Sequence, residues 1–195
     1  MTGAPRQGFL RLVRRCCVRL LLKELSVPTL TPADQVGLHI STLKSAQLQI
    51  YSSSAGRHPF PLAVLIKQIV SDRLILAGDR LRDGDRLILG KNYRSAISRH
   101  YYAMYLAARA VVFAEEKGDD YEKHSVLPRH LPPSMSNVSQ YENELTDARL
   151  LRNQADYDIY PVSEAGWEVE ARSLAVTAAR FVNAFEHFAL TNGHV

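Results

Sequence analysis

The sequence predicts an all-α fold, an up-and-down four-helix bundle with an additional helical extension on its N-terminal side. Three observations carry this prediction. Apolar residues return every three to four positions through four long stretches, the period of a helix with one buried face. No convincing strand is found. The stretches are joined mostly by short connections and by one long loop, which makes consecutive helices antiparallel neighbours. With 195 residues, 46% hydrophobic and 23% charged, the chain has room for one ordinary domain with a core of useful size, plus an extension.

In chain order, Thr31 stands before Pro32, a cap residue followed by proline at the first helical position. Val36, Ile40 and Leu43 continue on one face, which predicts a helix over residues 32–51. The stretch SSSAGRHPFP (52–61) combines small residues, glycine and two prolines and reads as a linker. The expected division is therefore a basic leader, short helix and linker over 1–60, and the bundle over 61–195.

The first bundle helix runs from Leu62 to Leu89 on Ile66, Val70, Leu74, Leu81 and Ile88. Gly78 and Gly84 weaken it, each by roughly 1 kcal/mol relative to alanine. After a turn at 90–92, Tyr93, Ile97, Tyr101, Met104, Ala108 and Val111 form one stripe. Ala96, Ala103, Ala107 and Ala110 let another helix come close. This second helix is apolar around much of its circumference, which places it centrally. Residues 117–135 hold three prolines and read as a long loop. Val138, Tyr141, Leu145, Ala148 and Leu151 mark the third helix. Pro161 breaks the chain, and Ser163 is placed to cap the fourth helix, with Trp167, Ala171, Leu174, Ala178, Phe181 and Phe185 on its faces.

The formal charge is +4, and it is uneven. Residues 1–23 carry Arg6, Arg11, Arg14, Arg15, Arg19 and Lys23 with no acid, which leaves the rest of the chain net −2. The basic pI thus describes the N-terminus and gives no sign that the folded body binds nucleic acid. The leader is too short and too interrupted by arginine to span a bilayer or act as a signal peptide. A poorly ordered leader, in part a matter of start-site choice, is the expectation. An amphipathic membrane or RNA anchor, or an organellar presequence, is the alternative. Cys16 and Cys17 are the only cysteines. As neighbours they form neither a disulfide framework nor metal-type spacing, which fits a reducing cytoplasm.

Few chemical motifs are present. GDRLRDGDR (78–86) has glycines but sits within a helical pattern and lacks the Lys-Ser/Thr of a phosphate loop. No His-Glu-x-x-His or carboxylate–histidine cluster points to a metal, and no cofactor is implied. The seven histidines are scattered, and His100 reads as a satisfied buried or half-buried side chain. Ser95 and Ser98 have no base nearby in sequence. Two stretches stand out. YRSAISRHYYAMY (93–105) is rich in phenols and arginine, and reads mostly as core packing with Arg94 and Arg99 solvated. RNQADYD (152–158) places Arg152, Asn153, Asp156, Tyr157 and Asp158 at a helix end. Arginine clamps phosphate through parallel hydrogen bonds. Asn153 and Asp156 can orient a ribose hydroxyl or that arginine, and Tyr157 offers a stacking face. An Arg152–Asp156 pair at i,i+4 with a hydrogen-bonded Tyr157 would instead be structural. Spacing alone leaves both readings open.

YRSAISRHYYAMYLAARAVVF, followed about forty residues later by RNQADYD and then PVSEAGWEVEARSLAVTAARFVNAFEHF, resembles the HEPN domain (higher eukaryotes and prokaryotes nucleotide-binding). It looks closest to a small prokaryotic subgroup with a Tyr-Tyr-Ala-Met helix and an Arg-x-x-Ala-Asp-Tyr motif. The resemblance covers residues 66–190. It implies a four-helix bundle, usually a homodimer, whose active members are metal-independent ribonucleases. Many are toxins or defence proteins paired with a minimal nucleotidyltransferase antitoxin. Their motif is an arginine, commonly followed by a polar residue, with a histidine four to six positions on. Arg152 and Asn153 match its first half. Tyr157, Asp158 and Ile159 stand where the histidine belongs.

That departure bears on chemistry. Metal-free RNA cleavage needs a proton removed from the 2′-hydroxyl and one supplied to the leaving oxygen. A histidine with pKa about 6.5 does either near neutrality. An ordinary aspartate at about 3.9 is a poor acid at pH 7, and a tyrosine at about 10 a poor base. The resemblance therefore implies RNA or nucleotide binding, by Arg152 with Asn153, Asp156 and Tyr157. Catalysis by Arg152 and Asp158 would be weak unless burial raised the Asp158 carboxyl. The alternative is a non-catalytic module that partners a nucleotidyltransferase.

Overall fold

The structure, a computed structural model, describes residues 29–52 and 59–195. The expected leader and most of the expected linker lie outside the described residues. Among the described residues, regular structure is helical throughout: α1 (Pro32–Ile40), α2 (Ser45–Ser52), α3 (Leu62–Leu89), α4 (Tyr93–Glu116), α5 (Val138–Tyr157) and α6 (Glu168–Thr191), with 3-10 turns at Leu127–His130 and Glu164–Trp167. None of these helices is long and apolar enough to cross a membrane.

Two boundaries differ from the periodicity. The helix expected over 32–51 is broken at residues 41–44. Ser41 Oγ and Thr42 Oγ1 donate to the carbonyls of Leu38 and His39 at 2.8 and 2.9 Å. These short hydroxyl side chains compete with the helical ladder. Lys44 N then donates to Gln47 Oε1 at 2.9 Å, and α2 begins. Thr31 does cap α1: its hydroxyl accepts from Asp34 N at 3.2 Å while Asp34 Oδ2 accepts from Thr31 N at 2.9 Å, a reciprocal box. Ser163 does not cap α6. It precedes a 3-10 turn, makes no side-chain cap bond, and α6 starts only at Glu168.

The bundle is built around α4, which packs against α3, α5 and α6. Residue pairing shows that its neighbours alternate in direction. Arg73 on α3 reaches Arg109 on α4 while Asp85 reaches His100. On α5, Arg152 meets Tyr102 while Asp156 meets Ser98. Tyr141 on α5 packs edge-on against Phe181 and Phe185 of α6. Ala96, Ala103, Ala107, Ala108 and Ala110 of α4 are wholly inaccessible. With no side chain beyond Cβ at these positions, neighbouring helix backbones close in on α4 from several directions.

Gly84 shows how close that approach is. A Cβ there would lie 2.6 Å from the His100 ring, whereas one at Gly78 would meet only Arg82 at 3.6 Å. His100 is fully buried and its Nε2 lies 3.1 Å from Asp85 Oδ1. Burial lowers its pKa below the usual 6.5, against the opposing pull of Asp85. The two glycines therefore predict opposite outcomes. Gly78→Ala should raise stability by up to about 1 kcal/mol through helix propensity. Gly84→Ala should lower it by about 1–3 kcal/mol by overpacking, as thermal unfolding of the two variants would show.

Residues 41–48 dock on the bundle through the segment after α4. Asp119, only 4% exposed, binds two arginines. Its Oδ1 accepts from Arg109 Nε at 2.8 Å and Arg73 Nη2 at 3.2 Å, and Oδ2 accepts from Arg109 Nη2. Arg73 Nη2 also reaches the Ser41 carbonyl at 2.7 Å, Asp119 N donates to Leu43 O at 2.8 Å, and Ser45 N donates to Asp120 Oδ2 at 2.9 Å. Burial, followed by the neighbouring Arg109 charge, brings the Arg73 guanidinium down to about 10. It stays charged at neutral pH because the carboxylate faces it. Removing that carboxylate strands two cations. Asp119→Ala should cost roughly 3–5 kcal/mol, measured by urea unfolding.

Candidate functional site

A helix buried on most sides has few places for polar side chains. On α4 they fall along one edge, at Arg94, Ser98, Tyr101, Tyr102, Tyr105 and Arg109, spaced at i, i+4 and i+7. Each meets a partner on α5, on the α4–α5 loop or on the chain that follows α5, and these contacts assemble the site.

At the start of α4, Arg94 is half-buried rather than solvated. Its Nη1 donates to the carbonyls of Ala155 and Asp158 at 3.1 and 2.7 Å, and its Nη2 to those of Ile159 and Pro161 at 3.3 and 2.8 Å. A helix C-terminus leaves its last carbonyls without intrahelical partners, and a cation is favourable there. Arg94 supplies both needs for α5 and holds the chain that leaves it. Its guanidinium also lies 4.7 Å from the Trp167 ring, whose Nε1 donates to Pro161 O at 3.0 Å. Arg99 is exposed, as expected.

One turn along α4, the Ser98 hydroxyl donates to both carboxylate oxygens of Asp156, at 2.9 and 3.1 Å. Ser98 thus has an acidic neighbour through space that its sequence surroundings do not show. Asp156 in turn faces Arg152, with Nε to Oδ2 at 2.6 Å. This is an ionic contact in which the N–H does not point along the line of a hydrogen bond, since Nε has no hydrogen-bond partner. Arg152 Nη1 donates to Asn153 Oδ1 at 3.2 Å and Nη2 to the Tyr102 hydroxyl at 3.1 Å. Its guanidinium carbon lies 5.4 Å from the Tyr102 ring centre and 5.7 Å from that of Tyr157. The side chains of Arg152 and Asp156 are 21% and 26% exposed.

The sequence-derived candidates therefore divide. Arg152, Asn153 and Asp156 form one connected group, with Tyr157 over it as a largely exposed ring (73% accessible). Asp158 contributes its backbone carbonyl to Arg94, while its side chain lies in an exposed position. The burial that would suit Asp158 to proton transfer is absent. Among the described residues, no group of three histidine, cysteine or acidic side chains is arranged to hold a metal ion.

Two residues that sequence reasoning missed adjoin this group. Arg149 lies one turn before Arg152 on α5. It is half-buried, its Nε is inaccessible without a hydrogen-bond partner, and no described residue pairs with it. The signal was present in the sequence. The positions three and four away are Leu145, Thr146, Arg152 and Asn153, none of them acidic. The other residue is His124, from the α4–α5 loop. Its Nδ1 lies 2.5 Å from the Tyr101 hydroxyl and its ring stacks on Tyr105 at 4.0 Å. No periodicity could have placed a loop residue there. The loop itself is well packed: Leu127, Leu131 and Met135 are buried.

The cavity between α3 and α6 is lined by residues such as Leu74, Leu81 and Val182, and that between α5 and α6 by Ala148, Leu151 and Leu174. Neither includes Arg149, Arg152 or His124.

A profile of the HEPN domain matches residues 70–188, more than half of the chain and some part of each bundle helix. The chain belongs to the HEPN domain family. No curated protein matches it, and no solved structure does.

If Arg94 holds the end of α5 as described, Arg94→Ala should lower stability by at least about 2 kcal/mol, since its hydrogen bonds are charge-assisted. Trp167 is the only tryptophan, so its fluorescence spectrum should shift in the folded variant.

Proposed function

We propose that this HEPN protein binds RNA through the face of α5 that carries Arg149 and Arg152, as a toxin or defence component with at most weak ribonuclease activity. The observation that carries this reading is the unpaired Arg149. Asp156 offsets the charge of Arg152 and fixes its orientation. Arg149 has no such partner, and a buried N–H without an acceptor is costly. The terminal guanidinium nitrogens of Arg149 are accessible and have no hydrogen-bond partner among the described residues either, and a phosphate oxygen would meet them. Arg152 would hold the neighbouring phosphate oxygen through its planar fork, with Asn153 and Asp156 setting its angle. Tyr157 would stack on a base, and Asp158 would border the same groove.

The largely exposed Tyr157 ring beside the two arginines favours a polymer over a free nucleotide. Small ligands are commonly gripped in a cavity that covers most of their surface, whereas a single strand is followed by cations and aromatic rings along a groove. A homodimer that sets two such faces together and a nucleotidyltransferase antitoxin complete the proposal by family resemblance, and a reducing cytoplasm by the cysteine usage, Cys16 and Cys17 being the only two.

A second reading has its own support. The Arg152–Asp156 pair is closed within one chain, as a structural role requires. Tyr157, Ile159, Tyr160 and Val162 are all more than 70% exposed, an apolar run suited to a protein partner. In that reading the bundle is a non-catalytic module for a nucleotidyltransferase.

Anisotropy of a labelled single-stranded RNA, titrated at several salt concentrations, separates them. If Arg149 takes one phosphate, Arg149→Ala should weaken binding and reduce the slope of log K against log salt by about 0.7. Arg152→Ala should weaken it further, by freeing Asp156 to repel the strand. Equal binding by the parent and both variants would rule out this face, and no binding by the parent would leave the partner-module reading.

A further inference from the structure

His124 reaches the arginine face from the α4–α5 loop, and three tyrosines of α4 hold it there. Its ring centre is 4.0 Å from Tyr105 at 21°, 5.6 Å from Tyr101 at 37°, and 5.9 Å from Tyr102 at 82°. Tyr102 joins this imidazole to the arginine group: its ring meets His124 edge-on while its hydroxyl accepts from Arg152 Nη2 at 3.1 Å. Contacts on several sides fix the orientation of the ring before any ligand arrives.

Tyr101 decides which ring nitrogen carries the hydrogen. That phenol is 1% exposed. Its hydroxyl lies 2.5 Å from His124 Nδ1, its only hydrogen-bond partner among the described residues. A buried O–H without an acceptor is costly, so Tyr101 donates and Nδ1 accepts. The ring hydrogen then sits on Nε2, which has no partner among the described residues, and His124 is exposed. Protonating Nδ1 would strand the phenol hydrogen. Burial and then the cations Arg152, Arg109 and Arg149 act in the same direction and lower the His124 pKa below 6.5. At pH 7 His124 is therefore an uncharged donor set among cations.

We infer that His124 is a specificity-determining residue of this face: its Nε2–H donates to an uncharged oxygen of RNA, a ribose 2′-hydroxyl or a base carbonyl. The inference rests on the RNA-binding reading above. Arg149 and Arg152 take the phosphates, because an ionised acceptor is bound most strongly by a charged donor. Phosphate contacts position a strand without identifying it. Base edges and the 2′-hydroxyl are what distinguish one strand from another. A neutral N–H held in one orientation beside two arginines supplies that second kind of contact. It neutralises no phosphate and releases no counterion, so its effect on affinity is the same at every salt concentration.

The test titrates the full chain against three labelled probes of one sequence: single-stranded RNA, its 2′-deoxy counterpart, and RNA with abasic sites. His124→Phe keeps an aromatic ring and removes the donor. It also leaves the Tyr101 hydroxyl without an acceptor, so Tyr101→Phe/His124→Phe is measured beside it, with circular dichroism to confirm folding. If the inference holds, both variants bind RNA about threefold to tenfold more weakly than the parent, as for one neutral hydrogen bond. The slope of log K against log salt stays at the parent value, whereas Arg149→Ala reduces it by about 0.7. Parent and variants bind equally the probe that lacks the contacted oxygen: the 2′-deoxy strand if His124 reads the ribose, the abasic strand if it reads a base. His124→Gln, which keeps a neutral N–H, retains most of the affinity, a result that ring packing alone would not give. RNA binding by both phenylalanine variants at the parent affinity would overturn the inference. So would an equal loss with all three probes, or a salt slope that falls as in Arg149→Ala. Each of these leaves the RNA-binding reading standing. Absence of RNA binding by the parent would overturn both.

Discussion

The constraint on which this structure depends is the burial of α4 on nearly every side. Fifteen of its residues are buried, and its alanines let α3, α5 and α6 approach together. A helix in that position cannot place polar groups at random, because each one left without a partner inside costs free energy. Apart from His100, which meets Asp85 of α3, the partly or fully buried polar side chains of α4 are gathered on one edge, and that edge dictates what stands opposite. Arg94 requires the carbonyls at the end of α5, Ser98 requires Asp156, Tyr102 meets Arg152, Tyr101 meets His124, and Arg109 requires Asp119. The candidate site is the middle of this ladder, so it is held by the same contacts that join α5 and the loop to the core.

The arrangement divides the work of the two arginines on α5. A guanidinium tied to an acid, a neighbouring amide and a phenol is well oriented but largely neutralised. One with no acid nearby keeps its attraction for anions. Arg152 is the first kind and Arg149 the second, three residues apart on one helix. In the proposed RNA-binding reading, the motif residue serves as a fixed geometric element, and its less conspicuous neighbour as the source of net positive charge. This also reconciles the face with a body that is net negative outside residues 1–23: local pairing, rather than total charge, decides where an anion is attracted.

Several features were legible in the sequence because they depend on local pattern. The four bundle helices, the central place of α4, the turn after α3 and the Arg152–Asp156 spacing all follow from which residues lie three or four apart. The family resemblance drew on the same signal. The break between α1 and α2 was missed because the hydroxyls of Ser41 and Thr42 compete with the ladder only when the backbone turns to meet them. Arg94 was misread as solvated because its partners are carbonyls more than sixty residues away, and carbonyls leave no mark in a sequence.

By itself, the sequence determined the fold class, the order of the helices and the motif on α5, since the period of apolar residues fixes which face of each helix is buried. Tertiary structure alone decided which polar groups meet across that bundle. It set Gly84 against His100, closed Asp119 on two arginines and placed Ser98 on Asp156. It also brought His124 beside Tyr102, close to Arg149 and Arg152. Such meetings depend on the distance and rotation between packed helices, which are set by the volumes of many side chains acting together rather than by any local spacing.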